Sequence, residues 1–301
     1  MKNNYARGVL MALGTAMLWG GMGPLAKFVG TQGVSMTSVM CYRAVVIVLL
    51  MSLWLRYRVG HGWYRIGRPL MRVYLLLGFL TVVMNAWGFM LSCQYLSVPQ
   101  ALMLNYTFPI AVMTGSYFIT GEKPSRKQLA AGFLIIGGLY VGFFASGGET
   151  PPLSVPGLLW GIVSLLGLSG QMLLSRKVLR DGDSNPSLQL FYVYLFGGAM
   201  LIIAKSVFVG WDDLAAMNCA VFALMQYSAF GAGLCGFGLL LGALRVIPAP
   251  LVSLVLTLEI AFALVITPLS LGLSPTGFEI AGCAIVMAAV ACAAAGNEAS
   301  A

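Results

Sequence analysis

Charged residues are scarce in this 301-residue chain, which has 17 Lys and Arg, 9 Asp and Glu, and a single His. Charged residues make up 9% of the sequence and hydrophobic residues 59%, whereas soluble proteins carry about 25% charged residues. This composition excludes a water-soluble globular protein. The six cysteines form no CxxC pair and no Cys/His spacing, so we expect neither a disulfide framework nor a metal site.

Motifs for nucleotide and cofactor binding are also missing. There is no Walker motif, and Gly231, Gly233 and Gly236 spell GxGxxG only inside an apolar run with no preceding strand. No HExxH motif or Ser/His/Asp group can be assembled at one depth, so we expect no cofactor and no enzymatic activity. The net charge of +8 comes from short basic clusters between apolar runs, which indicates membrane orientation and not nucleic-acid binding.

Long apolar runs are what the chain has in abundance. A helix needs roughly 20 apolar residues to cross a hydrocarbon core of about 30 Å. Ten runs of that kind leave almost no sequence for an extramembrane domain. They cover residues 8–30, 35–56, 71–93, 98–120, 128–147, 154–175, 187–209, 217–243, 248–270 and 276–295. The sequence therefore predicts an all-α polytopic membrane protein with ten transmembrane helices.

Basic residues give the predicted orientation, because Lys and Arg near the ends of spans are retained on the cytoplasmic side. With the N-terminus inside, 14 of the 17 basic residues fall in cytoplasmic segments. Lys27 and Lys205 fall on the outer side, and Arg43 lies within the second span. We therefore predict a multi-pass protein of the cell (inner) membrane with both termini in the cytoplasm.

The two halves of the chain, residues 1–150 and 151–301, are related by a weak internal repeat. Each half contains five spans, and because five is odd, the second half enters the membrane from the opposite side. Two inverted repeats are the signature of a secondary transporter. The matching pairs are Pro99/Pro250, Gly121/Gly272 and Pro124/Pro275 at an offset of 151, and Gly8/Gly157, Gly21/Gly170 and Lys27/Arg176 at an offset of 149.

Several stretches resemble EamA-type members of the drug/metabolite transporter superfamily. These stretches are Leu18-Trp19-Gly20 through Lys27, Ala101 to Pro109 followed by Gly121-Glu122-Lys123-Pro124, and Leu258-Glu259 followed by Gly272. Two positions depart from the family pattern: Ile260 stands where the family often has Pro, and Leu273 replaces the acid present at Glu122. The resemblance covers essentially the whole chain. It implies a secondary carrier for a small organic metabolite, and specifically an exporter of amino acids or related amphipathic compounds.

Ionisable side chains inside spans are the first candidates for substrate binding, because at membrane depth they cost several kcal/mol unless they are paired or hydrated. Glu259 lies near the midplane, where it can contact a cationic or amino group or take up a proton as the coupling ion. Arg43 can bind a substrate carboxylate or pair with an acid. The structural alternatives are a protonated Glu bonded to its own helix and an Arg that snorkels or caps carbonyls.

Neutral polar and aromatic residues complete the predicted site. Amides in lipid need partners and therefore point inward, and aromatic rings can stack on a flat or amphipathic solute; interhelical bonding and packing are the alternative roles. Pro109 interrupts its span and is a candidate hinge. The predicted substrate-binding residues, in a cavity between the repeats, are Trp19, Arg43, Asn85, Asn105, Tyr106, Gln171, Tyr227 and Glu259.

The expected partners are a small-molecule substrate, the lipid bilayer and, as a candidate coupling ion, the proton. We expect a monomer or a homodimer. The alternative functions are a channel and an uptake carrier for organic ions. The sequence contains no repeated filter motif of the kind that channels use, and single-channel currents would distinguish a channel from a carrier.

Overall fold

A computed structural model of the chain describes residues 2–62, 64–96, 98–144, 154–272 and 275–298. Helices, turns and loops account for all of these residues, and no strand occurs among them. Nine of the described helices are long and apolar enough to cross a membrane. A tenth helix, Arg126–Phe144, packs along Gly277–Glu298. The predicted all-helical, ten-segment fold is thereby confirmed.

We number the ten membrane segments 1 to 10 along the chain. The uninterrupted ones are segment 2 (Met36–Val59), segment 5 (Arg126–Phe144), segment 6 (Val155–Arg180), segment 7 (Pro186–Phe208) and segment 10 (Gly277–Glu298). The interrupted ones are segment 1 (Lys2–Gly20, Met22–Thr31), segment 3 (Arg68–Gly78, Phe79–Trp87, Gly88–Tyr95), segment 4 (Val98–Asn105, Phe108–Ile119), segment 8 (Cys219–Gln226, Tyr227–Gly236, Phe237–Val246) and segment 9 (Ala249–Leu256, Glu259–Leu271).

The interruptions of segments 3 and 4 match those of segments 8 and 9, whereas the break of segment 1 has no counterpart in segment 6. Segment 4 breaks at residues 106–107 and segment 9 at residues 257–258, which are separated by the same offset of 151 that relates the prolines. The middle parts of segments 3 and 8 are both π-helical. Helices broken near the bilayer midplane are the usual sites of substrate binding in transporters with inverted repeats.

Successive segments run in opposite directions, so the bundle has two ends. We call the end at which segments 2, 4, 6 and 8 finish the basic end, because 14 of the 17 basic residues lie toward it. The other is the opposite end.

Glycines allow the segments that carry candidate residues to approach closely. A Cβ atom at Gly167 of segment 6 would lie 2.6 Å from the backbone nitrogen of Asn85 in segment 3. A Cβ atom at Gly20 of segment 1 would lie 2.8 Å from the backbone oxygen of Glu259 in segment 9. Backbone atoms cannot yield to such a contact, so glycine is required at both positions.

Candidate substrate site

Six of the eight predicted site residues lie at or beside a helix interruption. Trp19 comes just before the break of segment 1, and Glu259 comes directly after the break of segment 9. Asn105 and Tyr106 lie at the break of segment 4, and Asn85 and Tyr227 lie in the two π-helical stretches. The other two, Arg43 and Gln171, lie on the uninterrupted segments 2 and 6. All eight side chains are buried or half-buried.

Glu259 and Tyr106 bring the two broken helices together. Glu259 is the first residue of Glu259–Leu271, and the dipole of a helix favours negative charge at this position. The side chain of Tyr106, in the break of segment 4, hydrogen-bonds to the Glu259 carboxyl group. Tyr106 is only 8% exposed, whereas Glu259 is half-buried. One residue from each repeat therefore contributes to this pair.

Ser164 of segment 6 joins the two candidate asparagines. Its hydroxyl lies 3.0 Å from the backbone oxygen of Asn85, 3.3 Å from its side-chain oxygen and 3.2 Å from the side-chain oxygen of Asn105. A hydroxyl has one hydrogen to donate, so it bonds to these acceptors in turn. In this orientation the two amide NH2 groups have no protein partner among the described residues and are available as donors.

Trp19 and Tyr227 fasten segment 1 to segment 8. The indole nitrogen of Trp19 donates to the backbone oxygen of Ala232 at 3.0 Å, and the hydroxyl of Tyr227 donates to the backbone oxygen of Leu18 at 2.6 Å. Both polar atoms are used in holding the helices together. These two residues can therefore contact a ligand only through the faces of their rings.

Arg43 and Gln171 stand apart from the Glu259–Tyr106 pair. The Arg43 guanidinium lies 5.8 Å from the centre of the Tyr194 ring, and its buried Nε has no hydrogen-bond partner in the described part of the chain. Gln171 is 1% exposed, and neither of its amide atoms has a partner there. Neither Arg43 nor Glu259 belongs to an ion pair among the described residues.

Pro109 lies just after the break of segment 4 and has no backbone N–H to bond to the carbonyl of Asn105, which favours a break at this place. It occupies the first turn of Phe108–Ile119, where a missing backbone N–H leaves no hydrogen bond unmade. The helix is interrupted two residues earlier, where the Thr107 hydroxyl donates a hydrogen bond to the backbone oxygen of Leu104 at 2.7 Å. Segment 9 has the same hydrogen bond at its break, where the Thr257 hydroxyl donates to the backbone oxygen of Leu254 at 2.7 Å.

Comparison with known proteins agrees with this architecture. The EamA-like transporter family matches the chain twice, over residues 6–144 and 155–295. The chain belongs to this family. It is 24% identical over 268 residues to the uncharacterized inner membrane transporter YhbE of Escherichia coli K12, a match that covers 88% of this chain and 81% of the relative. The proteins of the same name from Escherichia coli O157:H7 and Shigella flexneri match equally well.

A solved crystal structure of another protein shares the fold of this EamA-like transporter. It superposes with a TM-score of 0.78 at 16% identity, and the match covers 96% of both chains. The two family matches contain segments 1–5 and 6–10, which confirms the predicted family and the two-repeat fold class. The family and the relatives' names indicate a transporter and not an enzyme.

Sequence analysis did not predict a network of ionic and hydrogen-bond contacts that lies at the basic end of this EamA-like transporter. The Glu122 carboxylate, in the loop after segment 4, lies 2.7 Å from Nε of Arg176, and its other oxygen accepts from the backbone N–H of Ala249 at 3.1 Å and from the Thr120 hydroxyl at 3.3 Å. Arg176 also donates to the backbone oxygen of Leu244 at 2.8 Å. The network joins the first repeat to segments 6, 8 and 9 of the second. We call it the basic clasp.

A second network joins the repeats at the opposite end. The Asp213 carboxylate accepts from Lys205 at 3.0 Å, from the Ser38 hydroxyl at 2.5 Å and from the backbone N–H of Ser35 at 2.9 Å. Partial burial disfavours the charged carboxylate, but these hydrogen bonds and the Lys205 charge outweigh it and hold the pKa of Asp213 below its usual value. The Lys205 side chain is fully buried, 4.9 Å from the centre of the Trp211 ring. We call this network the opposite clasp.

Proposed function

We propose that this EamA-like transporter is a secondary carrier that exports amino acids or related amphipathic metabolites by alternating access of its two repeats. The observation that carries the substrate class is the placement of an acid and two amide donors around one helix break. Glu259 contacts Tyr106, and Tyr106 follows Asn105, whose amide shares Ser164 with Asn85. The site therefore offers an anion and hydrogen-bond donors in neighbouring positions.

An amino acid matches this arrangement at both of its charged groups. Its ammonium group can bind the Glu259 carboxylate, which is the only acid in the middle of a segment. Its carboxylate can accept from the amide NH2 groups of Asn85 and Asn105, and hydrogen bonds to a charged group are stronger than neutral ones. The ring faces of Trp19 and Tyr227 suit an apolar substrate side chain.

Broken helices also suit alternating access, because the two halves of segment 4 or segment 9 can move separately while the break stays at the centre. Each clasp closes one end of the bundle by joining the repeats. Opening to one side then requires the clasp at that end to separate while the other holds. The proton is the proposed coupling ion, and Glu259 its carrier.

The test is transport by purified protein in proteoliposomes, with exchange of labelled amino acids and accumulation driven by a pH gradient measured separately. Glu259→Gln removes the charge and keeps the size of the side chain. If Glu259 binds the substrate ammonium, we expect both activities to fall about 10- to 100-fold, the equivalent of the roughly 1.5–3 kcal/mol of a charge-assisted hydrogen bond. If it carries the coupling proton alone, exchange survives and accumulation is lost.

Asp183→Asn is the matched control, because it removes an exposed acid at the basic end and should change neither activity. Wild-type exchange and accumulation in Glu259→Gln would assign a structural role to Glu259. Failure of any amino acid to exchange through the wild-type protein would contradict the substrate class.

The basic end is proposed to face the cytoplasm, with both termini on that side. A single cysteine placed at Arg65, an exposed residue in the loop between segments 2 and 3, reports this orientation in a variant that lacks the six native cysteines. We expect a membrane-impermeant thiol reagent to label Arg65→Cys only after the cells are opened. Labelling from outside intact cells would reverse the orientation.

A further inference from the structure

An apolar groove lies on the outside of the bundle, between segments 2, 7 and 8. It has a volume of about 460 Å³ and is lined mostly by apolar side chains, among them Trp54, Leu190, Phe230 and Leu234, together with Ser187 and Gly238. Trp54 and Phe230 are 47% and 45% exposed, so the groove opens outward toward the surrounding bilayer. From Phe230 to Gly238 it follows eight residues of segment 8, about 12 Å of helix, which is close to the roughly 15 Å hydrocarbon depth of one leaflet.

The polar side chains of the groove lie at one end of it. Trp54 is in the last turns of segment 2, and the Arg58 guanidinium covers its ring at 4.9 Å. Ser187, the one hydroxyl in the lining, belongs to the first turn of segment 7, which also starts at the basic end. An apolar channel with an arginine and a hydroxyl at its headgroup end has the same polarity as a phospholipid.

We propose that this groove binds an anionic phospholipid of the leaflet at the basic end, with one acyl chain between Phe230 and Gly238 and the phosphate beside Arg58 and Ser187. Basic pockets between membrane helices on the cytoplasmic side are the places where anionic headgroups bind. The choice of an anionic lipid follows from Arg58, because a zwitterionic headgroup brings no net charge to it. The bound chain would contact Phe230 and Leu234 in the π-helical stretch of segment 8.

Gly238 allows the groove to be filled without disturbing the fold. No atom lies within 4 Å of a Cβ at this position, so Gly238→Leu adds a side chain to open space. Gly137 of segment 5 is the matched control, since it is exposed and its Cβ position is equally open. Arg72→Gln, at an exposed position near the basic end of segment 3, is the control for Arg58→Gln.

The experiment titrates dioleoyl-phosphatidylglycerol and, separately, dioleoyl-phosphatidylcholine onto the purified full-length protein and counts bound lipids by native mass spectrometry. We expect the wild type to retain phosphatidylglycerol in preference. Arg58→Gln should weaken its binding about fivefold, corresponding to the roughly 1 kcal/mol of one arginine near an anionic headgroup. Gly238→Leu should abolish retention of that lipid, whereas Arg72→Gln and Gly137→Leu should bind as the wild type does.

Three results would overturn the proposal. Equal loss in Arg58→Gln and Arg72→Gln would mean that any surface arginine attracts the lipid. Unchanged binding in Gly238→Leu would place the lipid elsewhere. A wild-type dimer that Gly238→Leu converts to a monomer would make the groove an interface between two copies of the chain.

Discussion

Glu122→Gln is expected to lower the free energy of unfolding by about 3–5 kcal/mol, which is the usual effect of removing one partner of a buried ion pair. Arg176, the other partner, is 7% exposed and lies 2.7 Å from the carboxylate. In the variant its guanidinium keeps the backbone oxygen of Leu244 but loses its counter-charge. In the wild type, the Glu122 carboxylate places a full negative charge at the first turn of Ala249–Leu256, where the helix dipole favours an anion. The uncharged glutamine amide of the variant loses this interaction.

Thermal melting in detergent micelles measures this loss. The double variant Glu122→Gln/Arg176→Met should recover part of it, because no uncompensated charge then remains. Asp183→Asn, which removes an exposed acid, should melt with the wild type. Equal melting temperatures for Glu122→Gln and the wild type would show that Arg176 does not depend on this carboxylate.

Asp213→Asn should produce a loss of similar size at the opposite end. Lys205 has no exposed side-chain surface, and Asp213 is the only acid that pairs with it among the described residues. The uncharged amide leaves this ammonium group buried without a counter-charge, for an expected cost of about 3–5 kcal/mol. The neighbouring Asp212 is exposed, which makes Asp212→Asn the matched control with no expected effect.

The pH dependence of the melting temperature provides an independent test of the role of Asp213. The pKa of Asp213 is lower in the folded protein than the usual value of about 3.9 in an unfolded chain. The stability it contributes is therefore complete above about pH 4 and is lost as the pH falls through the folded pKa. The melting temperatures of the wild type and Asp213→Asn should differ most near neutral pH and converge on acidification. A difference that is constant with pH would contradict an electrostatic origin.

Sequence patterns predicted the parts of the fold that depend on neighbouring residues. Long apolar runs gave the ten segments, and the Pro99/Pro250 pair gave the offset that also relates the two helix breaks. Polarity near the midplane singled out Glu259 and Tyr106, which lie in contact. The segments and the repeat offset can be read from the sequence because hydropathy and proline act locally on the backbone.

Features that depend on tertiary partners could not be predicted in the same way. Glu122 and Arg176 are 54 positions apart, and each reads in the sequence as one more charge at the end of a span. Gln171 is predicted to line a cavity because it is polar, but which neighbours enclose its amide depends on helices that are distant in the sequence. The π-helical stretches were also missed, because short, mostly apolar stretches of nine or ten residues fit either helical period.

The two helix breaks are alike in position but not in chemistry. At the offset of 151, Phe108 corresponds to Glu259 and Pro109 to Ile260, so charge is present at one break and proline at the other. Two identical inverted halves would give the inward-open and outward-open forms equal free energy. Unequal breaks are one of the differences that remove that degeneracy, so a carrier that alternates as proposed would have a thermodynamic polarity of its own even before any gradient is applied.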